Sequence, residues 1–244
     1  MTGSNKPKRA FILAAGKGTR LRPYTDDKPK PLVPVNGRAI LDYALDKLEN
    51  AGVHDVTINL YYLGDRIEKY LEDRTAPSIT FSKESALLDT GGGVKNALET
   101  MKGEAFYLIN GDALWVDGDT PALDNLAKIW NPEIMDILLL LQPVSTMTLT
   151  KGVGDYDLGA DGKAVRAKNK DGAYMFGGIR ITKTDIFDGT PEDAFSFLQL
   201  MDEAQSNGRL YGMVHDGQWH HISTPEDLEN VNNAMAESLK TKTA

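Results

Sequence analysis

The segment from Phe11 to Pro34 places the strongest constraint on the fold. Phe11, Ile12 and Leu13 read as the end of a buried strand. Gly16 and Gly18 follow at once, letting the backbone turn sharply and bring its N–H groups close to a ligand. Lys17, Arg20 and Arg22 add positive charge around that turn. Pro23, Pro29, Pro31 and Pro34 preclude a regular helix, so Lys28 and Lys30 are expected on a stiff loop lying over the same cleft. A glycine turn at a strand end beside fixed lysines is suited to a polyphosphate.

Two common phosphate motifs are excluded by spacing. A Walker loop needs a glycine where this chain has Phe11, and Ser or Thr after the lysine where it has Gly18. A dinucleotide fingerprint needs a third small residue where Leu21 stands. The segment Leu13-Ala14-Ala15-Gly16-Lys17-Gly18-Thr19-Arg20-Leu21-Arg22-Pro23, with Lys28-Pro29-Lys30-Pro31-Leu32-Val33-Pro34 downstream, instead resembles the signature of the sugar-1-phosphate nucleotidylyltransferases. Members of that family join a nucleoside triphosphate to a sugar 1-phosphate and release pyrophosphate.

Beyond that segment, apolar strand-like runs alternate with helical periodicity. Ile40, Leu41, Ala44, Leu45 and Leu48 fit one helix face that Gly52 stops, and Val56, Ile58 and Leu60 fit the next strand. Ile67, Tyr70 and Leu71 suggest a helix, Ile79–Ser82 a strand, and Val94, Ala97, Leu98 and Met101 a further helix face. Ala105–Asn110 and Asp136–Val144 read as buried strands. The order predicts an α/β, Rossmann-like fold with a mainly parallel central sheet flanked by helices, whose ligands gather at the carboxyl ends of the strands, where Gly16, Asn59 and Asp112 fall.

From about residue 150 short strands and turns take over. Asp161-Gly162 marks a hairpin between Asp155–Gly159 and Lys163–Lys168; Tyr174–Thr182 and Leu210–His215 read as strands and Phe195–Ser206 as a helix. Thr224 caps a helix with Pro225 at its first position and acids in its first turn, and the tail from Ser238 is expected to fray. With no Gly/Ser/Pro-rich linker and no internal repeat, residues 1–244 are read as one domain. About 8–150 would form the nucleotide-binding half, and about 151–237 a smaller α+β sugar-binding or lid portion, as in folds of the nucleotide-diphospho-sugar transferase type.

The net charge of −8 argues against nonspecific nucleic-acid binding, so an anionic substrate must be held by a local basic pocket. No cysteine is present to form a disulfide or a thiolate metal site. Met1–Arg9 has no apolar core for a signal peptide, and the longest apolar run, Ile137–Leu141, is far below the roughly 20 residues of a membrane span. A cytoplasmic protein without membrane partners, monomeric or a small homo-oligomer, is expected.

Two further motifs carry chemistry. Asn110-Gly111-Asp112 ends a strand, and a carboxylate there suits Mg²⁺, which takes one or two carboxylates and completes its shell with water and phosphate. Asp89-Thr90-Gly91-Gly92-Gly93 opens a helix whose bared backbone would let a flat base or phosphate approach. In the family resembled, these segments are the metal position and the base reader. The acid-Thr-Gly-Gly-Gly form is similar to that of the N-acetylmuramate-1-phosphate uridylyltransferases. That closer resemblance extends through Asn59 with Tyr62-Leu63-Gly64, Gly152-Val153-Gly154-Asp155-Tyr156, Phe176-Gly177-Gly178-Ile179, and Ala194 through Leu200.

The resemblance implies UTP, or another nucleoside triphosphate, and a sugar 1-phosphate as partners. It implies Leu13, Ala14, Ala15, Gly16, Lys17, Gly18, Thr19, Thr90, Gly91, Gly92 and Gly111 on the nucleotide, and Arg20, Lys30 and Asp112 as catalytic residues. Asn59, Asp155, Gly177, Gly178 and either Lys168 or Lys170 would then face the sugar phosphate. The chain departs from the family near its end. A Trp-x-Asp-x-Gly-Thr-x-Glu pattern is replaced by Trp219-His220-His221-Ile222-Ser223-Thr224-Pro225-Glu226, aligning His221 with the second metal-binding Asp. Mg²⁺ is the expected cofactor, held by Asp112 with His221 nearby; imidazole suits softer ions such as Mn²⁺ better.

Overall fold

A computed structural model describes residues 6–242, with side chains through Glu237. In chain order the strands are β1 (Arg9–Leu13), β2 (Pro34–Val35), β3 (Arg38–Ala39), β4 (Asp55–Leu60), β5 (Ser78–Lys83), β6 (Phe106–Asn110) and β7 (Leu114–Val116). After them come β8 (Ile137–Pro143), β9 (Tyr156–Leu158), β10 (Ala164–Arg166), β11 (Tyr174–Thr182), β12 (Leu210–Val214) and β13 (Gln218–His220). The helices are α1 (Ile40–Asn50), α2 (Gly64–Tyr70), α3 (Asp89–Lys95), α4 (Ala122–Ile129), α5 (Leu198–Ser206) and α6 (Pro225–Lys242).

Nine strands form the main sheet. β5, β4, β1 and β6 lie side by side and parallel. β11 runs antiparallel between β6 and β8, and β12 pairs parallel with β8. The strands after residue 150 therefore join the sheet begun by β1, while β9 and β10 extend its edge through β11.

Successive side chains of each central strand enter opposite cores, as a period of two requires. Ala10, Ile12, Tyr107, Ile109, Leu138 and Leu140 pack against α1 and α4 on one face. Phe11, Phe106, Leu108, Ile137, Leu139 and Leu141 pack toward α3 and α5 on the other. Burial on both faces explains why these strands read as continuous apolar runs without alternation.

Four local expectations differ from the structure. Val94 to Met101 does not form one helix: α3 ends at Lys95, Ala97 takes φ −128°, and a separate 3-10 turn covers Leu98–Met101. The helix expected from Phe195 begins at Leu198, because the Phe195 carbonyl accepts the N–H groups of Gly91 and Gly92 instead of starting a helical ladder. Tyr70 is not on the apolar face of α2; it is 48% exposed and its hydroxyl donates to Asp42. At the C-terminus α6 continues to Lys242 past the point where fraying is expected, with the Ser238 side chain outside the described ones.

Candidate active site

The phosphate-type turn is held from beneath by a relay of buried polar groups. Asn59, 2% exposed at the end of β4, accepts the Ala14 N–H at 2.8 Å. The Asn59 side-chain amide donates to Glu84 at 2.7 Å, and the other Glu84 oxygen accepts the Leu88 N–H at 3.1 Å. One carboxylate thus ties the ends of β1 and β4 to the entry of α3. Gly18 is left-handed at φ 62°, and the buried Thr25 hydroxyl donates to its carbonyl at 2.8 Å. A Cβ on Gly16 would meet nothing within 4 Å, so this stretch of backbone stays open to a ligand.

Across the turn, the Gly111 N–H donates to the Leu13 carbonyl at 2.8 Å, and a Cβ on Gly111 would lie 2.6 Å from that oxygen. Only glycine lets the end of β6 come this close to β1. The next residue, Asp112, accepts a hydrogen bond from the Lys30 ammonium at 2.6 Å. A 3-10 turn, Lys30–Leu32, carries that lysine. Asp112 keeps 40% of its side-chain surface accessible, at the mouth of the cavity and not in a sealed interior. Burial would raise its pKa, but the adjoining Lys30 charge and hydrogen bond hold it below the usual carboxylate range.

His221 arrives from the far end of the sequence. β13 pairs antiparallel with β7, setting Leu114 opposite His220, so Asp112 and His221 lie at the same end of a two-stranded ribbon. The His221 backbone N–H donates to Thr150, and its ring lies 5.5 Å from that of Trp219. Burial, then the Lys30 charge, lowers its pKa, favouring the neutral imidazole that can ligate a metal.

A cavity of about 600 Å³ opens at these strand ends. It brings together much of the predicted nucleotide set, Leu13 to Gly16, Gly18, Thr19, Thr90 and Gly111, with the three predicted catalytic residues, Arg20, Lys30 and Asp112. Lys17 is exposed, and neither Lys17 nor Lys28 lines the cavity. Asn59 touches the cavity, but both ends of its amide are engaged in the relay.

Gly91 and Gly92 are buried, and the bared-backbone expectation for them needs correction. A Cβ on Gly91 would lie 2.5 Å from Cδ2 of Phe195, and one on Gly92 would lie 3.1 Å from the Asp193 carbonyl. Their N–H groups already bond the Phe195 carbonyl. Their small size serves protein packing, which leaves Asp89 and Thr90 as the parts of this motif on the cavity wall. The Thr90 hydroxyl accepts the Phe197 N–H at 2.9 Å, tying α3 to the second half of the chain.

Of the predicted sugar residues only Asn59 lines this cavity; Asp155, Lys168, Lys170, Gly177 and Gly178 do not. Asp155 accepts the Phe176 N–H at 3.1 Å, and burial raises its pKa. The pairing of β11 with β8 shifts register between Phe176 and Arg180, across Gly177 and Gly178. Gly178, at φ 70°, packs against the Asn110 side chain, and Gly177 against Trp219. Both lysine candidates are exposed; Lys170 is the one whose charge bears on Asp155.

Sequence reasoning missed Glu84, Asn110 and Ser223. Glu84 carries no local motif, and its role exists only once three strand ends meet. Asn110 and Ser223 are among the residues lining the cavity, and Asn110 Oδ1 and Ser223 Oγ are buried without a hydrogen-bond partner.

Known proteins match this arrangement. Residues 9–148 fit the family described as Nucleotidyl transferase. The chain is 37% identical to an N-acetylmuramate alpha-1-phosphate uridylyltransferase of Caulobacter vibrioides, across 91% of this chain and 95% of that protein. It is 33% identical to the Neisseria meningitidis protein of the same name, across 88% and 93%. Among solved structures, HddC from Yersinia pseudotuberculosis complexed with GMP-PN superposes with a TM-score of 0.75 at 26% identity, covering 93% of this chain and 99% of that one.

Proposed function

Because this chain belongs to the nucleotidyl transferase family, as a sugar-1-phosphate nucleotidylyltransferase, we propose that it converts UTP and N-acetylmuramate 1-phosphate to UDP-N-acetylmuramate and pyrophosphate. The observation that carries the reaction class is the single cavity shared by the glycine turn, Lys30 and Asp112. The choice of substrates rests on similarity to the uridylyltransferases over nearly the full length of both chains. A role in peptidoglycan recycling follows from that choice. A cytoplasmic location accords with the need for nucleoside triphosphate and with the absence, among the described residues, of a helix long and apolar enough to cross a membrane.

The chemistry asks little proton transfer of the protein. A sugar phosphate, with its second pKa about 6, is mostly dianionic at neutral pH. Its oxygen attacks the α-phosphorus of the nucleotide, forming the new P–O bond as the bond to pyrophosphate breaks. The barrier lies in bringing two anions together, so positioning and positive charge carry catalysis. Backbone N–H groups around Gly16 and Gly18, with Arg20, take the outer phosphates, and Lys30 neutralises charge near the α-phosphate. Thr90 lies toward the base and Asp155 toward the sugar.

Asp112 is the residue to hold Mg²⁺. Among the described residues no group of three His, Cys, Asp or Glu is arranged as a complete metal site. One carboxylate opening on a phosphate cavity nevertheless fits an ion that takes its remaining ligands from water and substrate. When bound, it would neutralise phosphate charge; with His221 as the second candidate ligand, Mn²⁺ fits as well.

The test is to incubate the purified protein with N-acetylmuramate 1-phosphate, UTP and either Mg²⁺ or Mn²⁺, following pyrophosphate release and product mass. UDP-N-acetylmuramate is the expected product. Turnover with GTP in place of UTP would overturn the choice of base. Nucleotide binding without pyrophosphate release, under either metal and across a panel of sugar phosphates, would overturn catalysis.

A further inference from the structure

Ser223 sits one residue before the Thr224 cap of α6, and its backbone is fixed. The carboxylate of Asp227 accepts the N–H groups of both Ser223 and Thr224, at 2.9 and 2.8 Å. Ile222 is buried beside it, in a cluster with Leu114, Leu228 and Val231. The helix start is therefore satisfied from within, and none of that bonding uses the Ser223 side chain. That side chain belongs to a residue only 5% exposed, and its hydroxyl has no hydrogen-bond partner. Buried hydroxyls ordinarily find partners, and one left alone destabilises the fold that keeps it. Ser223 lines the same cavity as Arg20, Lys30 and Asp112, where a partner can enter from outside.

We propose that the Ser223 hydroxyl donates a hydrogen bond to a phosphate oxygen of the triphosphate bound in this cavity. The ligand is identified by its surroundings. The cavity carries Asp89 and Asp112 beside Arg20 and Lys30, and Lys30 already holds Asp112; Arg20 and the open backbone at Gly16 are what face an entering atom with donors, which suits an anionic acceptor. A hydroxyl turns toward such an atom by rotation about one bond, with no backbone movement. His221, two residues earlier, stands where the resembled pattern has an acid, and Ser223 stands where that pattern has glycine.

The proposal rests on the triphosphate reading of the cavity, and the experiment separates the two. Binding of inorganic tripolyphosphate and of a non-hydrolysable UTP analogue is measured by calorimetry for the wild type, Ser223→Ala and Ser223→Thr, without and with Mg²⁺. Thermal unfolding is recorded in parallel. Loss of a hydrogen bond to a charged oxygen predicts about tenfold weaker tripolyphosphate binding in the Ala variant without metal. The Thr variant is expected to retain affinity, and the Ala variant a melting temperature equal to or above that of the wild type. Equal affinity in Ala and wild type would overturn the contact, as would a wild type that does not bind tripolyphosphate. A loss seen only with Mg²⁺ present would also overturn it, in favour of a contact to the water shell of the metal. Tripolyphosphate binding that depends on Ser223, with no affinity for the UTP analogue, would uphold the contact and refute the uridylyltransferase reading.

Discussion

Replacing Gly91 by Ala separates two explanations for the glycines of α3. If they exist to bare the backbone for a base, one methyl should weaken nucleotide binding and leave stability alone. The structure predicts the reverse. A Cβ at Gly91 would lie 2.5 Å from Cδ2 and 2.9 Å from Cζ of Phe195, where carbon atoms at rest keep about 3.5–4.0 Å apart. The ring cannot simply swing aside, because Phe195 is 4% exposed and its carbonyl is bonded to Gly91 and Gly92. Forcing an extra methyl into such a contact costs about 3 kcal/mol at the upper end of the usual range. The better helix propensity of Ala returns at most about 1 kcal/mol, leaving about 2 kcal/mol of net destabilisation. In a chain of this size that is a fall in melting temperature of about 4–8 °C. Thermal unfolding followed by circular dichroism, beside the KM for the triphosphate well below the transition, is the assay. A variant that melts within a degree of the wild type but has a KM raised tenfold would refute the packing argument.

Other perturbations address the charges. Lys30→Ala and Asp112→Ala are each expected to cut turnover by about 100-fold or more while the protein stays folded, and near-normal turnover would remove that residue from the mechanism. Stability should also depend on pH through three histidines, two buried and His221 partly so. His215, His220 and His221 all have pKa values lowered from 6.5, by burial first. Below about pH 6.5 the unfolded chain takes up protons that the folded chain does not. The stabilisation is therefore complete above that pH and is lost as the pH falls through the lower folded values. Melting temperatures between pH 8 and 5.5 should drop on the acid side, less steeply for His215→Gln; an unchanged slope in that variant would contradict the assignment.

The parts of the site legible from sequence were those written in contiguous residues. Gly16, Gly18, Lys30 and Asp112 announce themselves because turning a backbone at a strand end, and presenting charge beside it, require particular residue types in order. The apolar runs of β6 and β8 marked themselves as central in the same way. What stayed hidden depends on distant segments meeting. Gly91 reads as exposed backbone until Phe195 is packed upon it, and Glu84 is an unremarked acid until Asn59 and Leu88 reach it. Phe195 looks like the start of a helix until its carbonyl is committed to α3. Each was misread or missed because the deciding partner lies at least several residues, and for Gly91 about half the chain, away.

The ribbon of β7 and β13 has a consequence for the order in which the molecule becomes complete. During synthesis the glycine turn, Lys30 and Asp112 all leave the ribosome long before His221 and Ser223 do. Until the last strand pairs with β7, the wall that carries Ser223 is missing from the pocket, although Lys30 and Asp112 can already pair with each other. A substrate that needs every wall can grip only a finished molecule, and by gripping it makes that molecule harder to unfold. Ligand binding would then act as a proofreader of chain length, sparing complete copies from proteolysis and leaving fragments exposed to it.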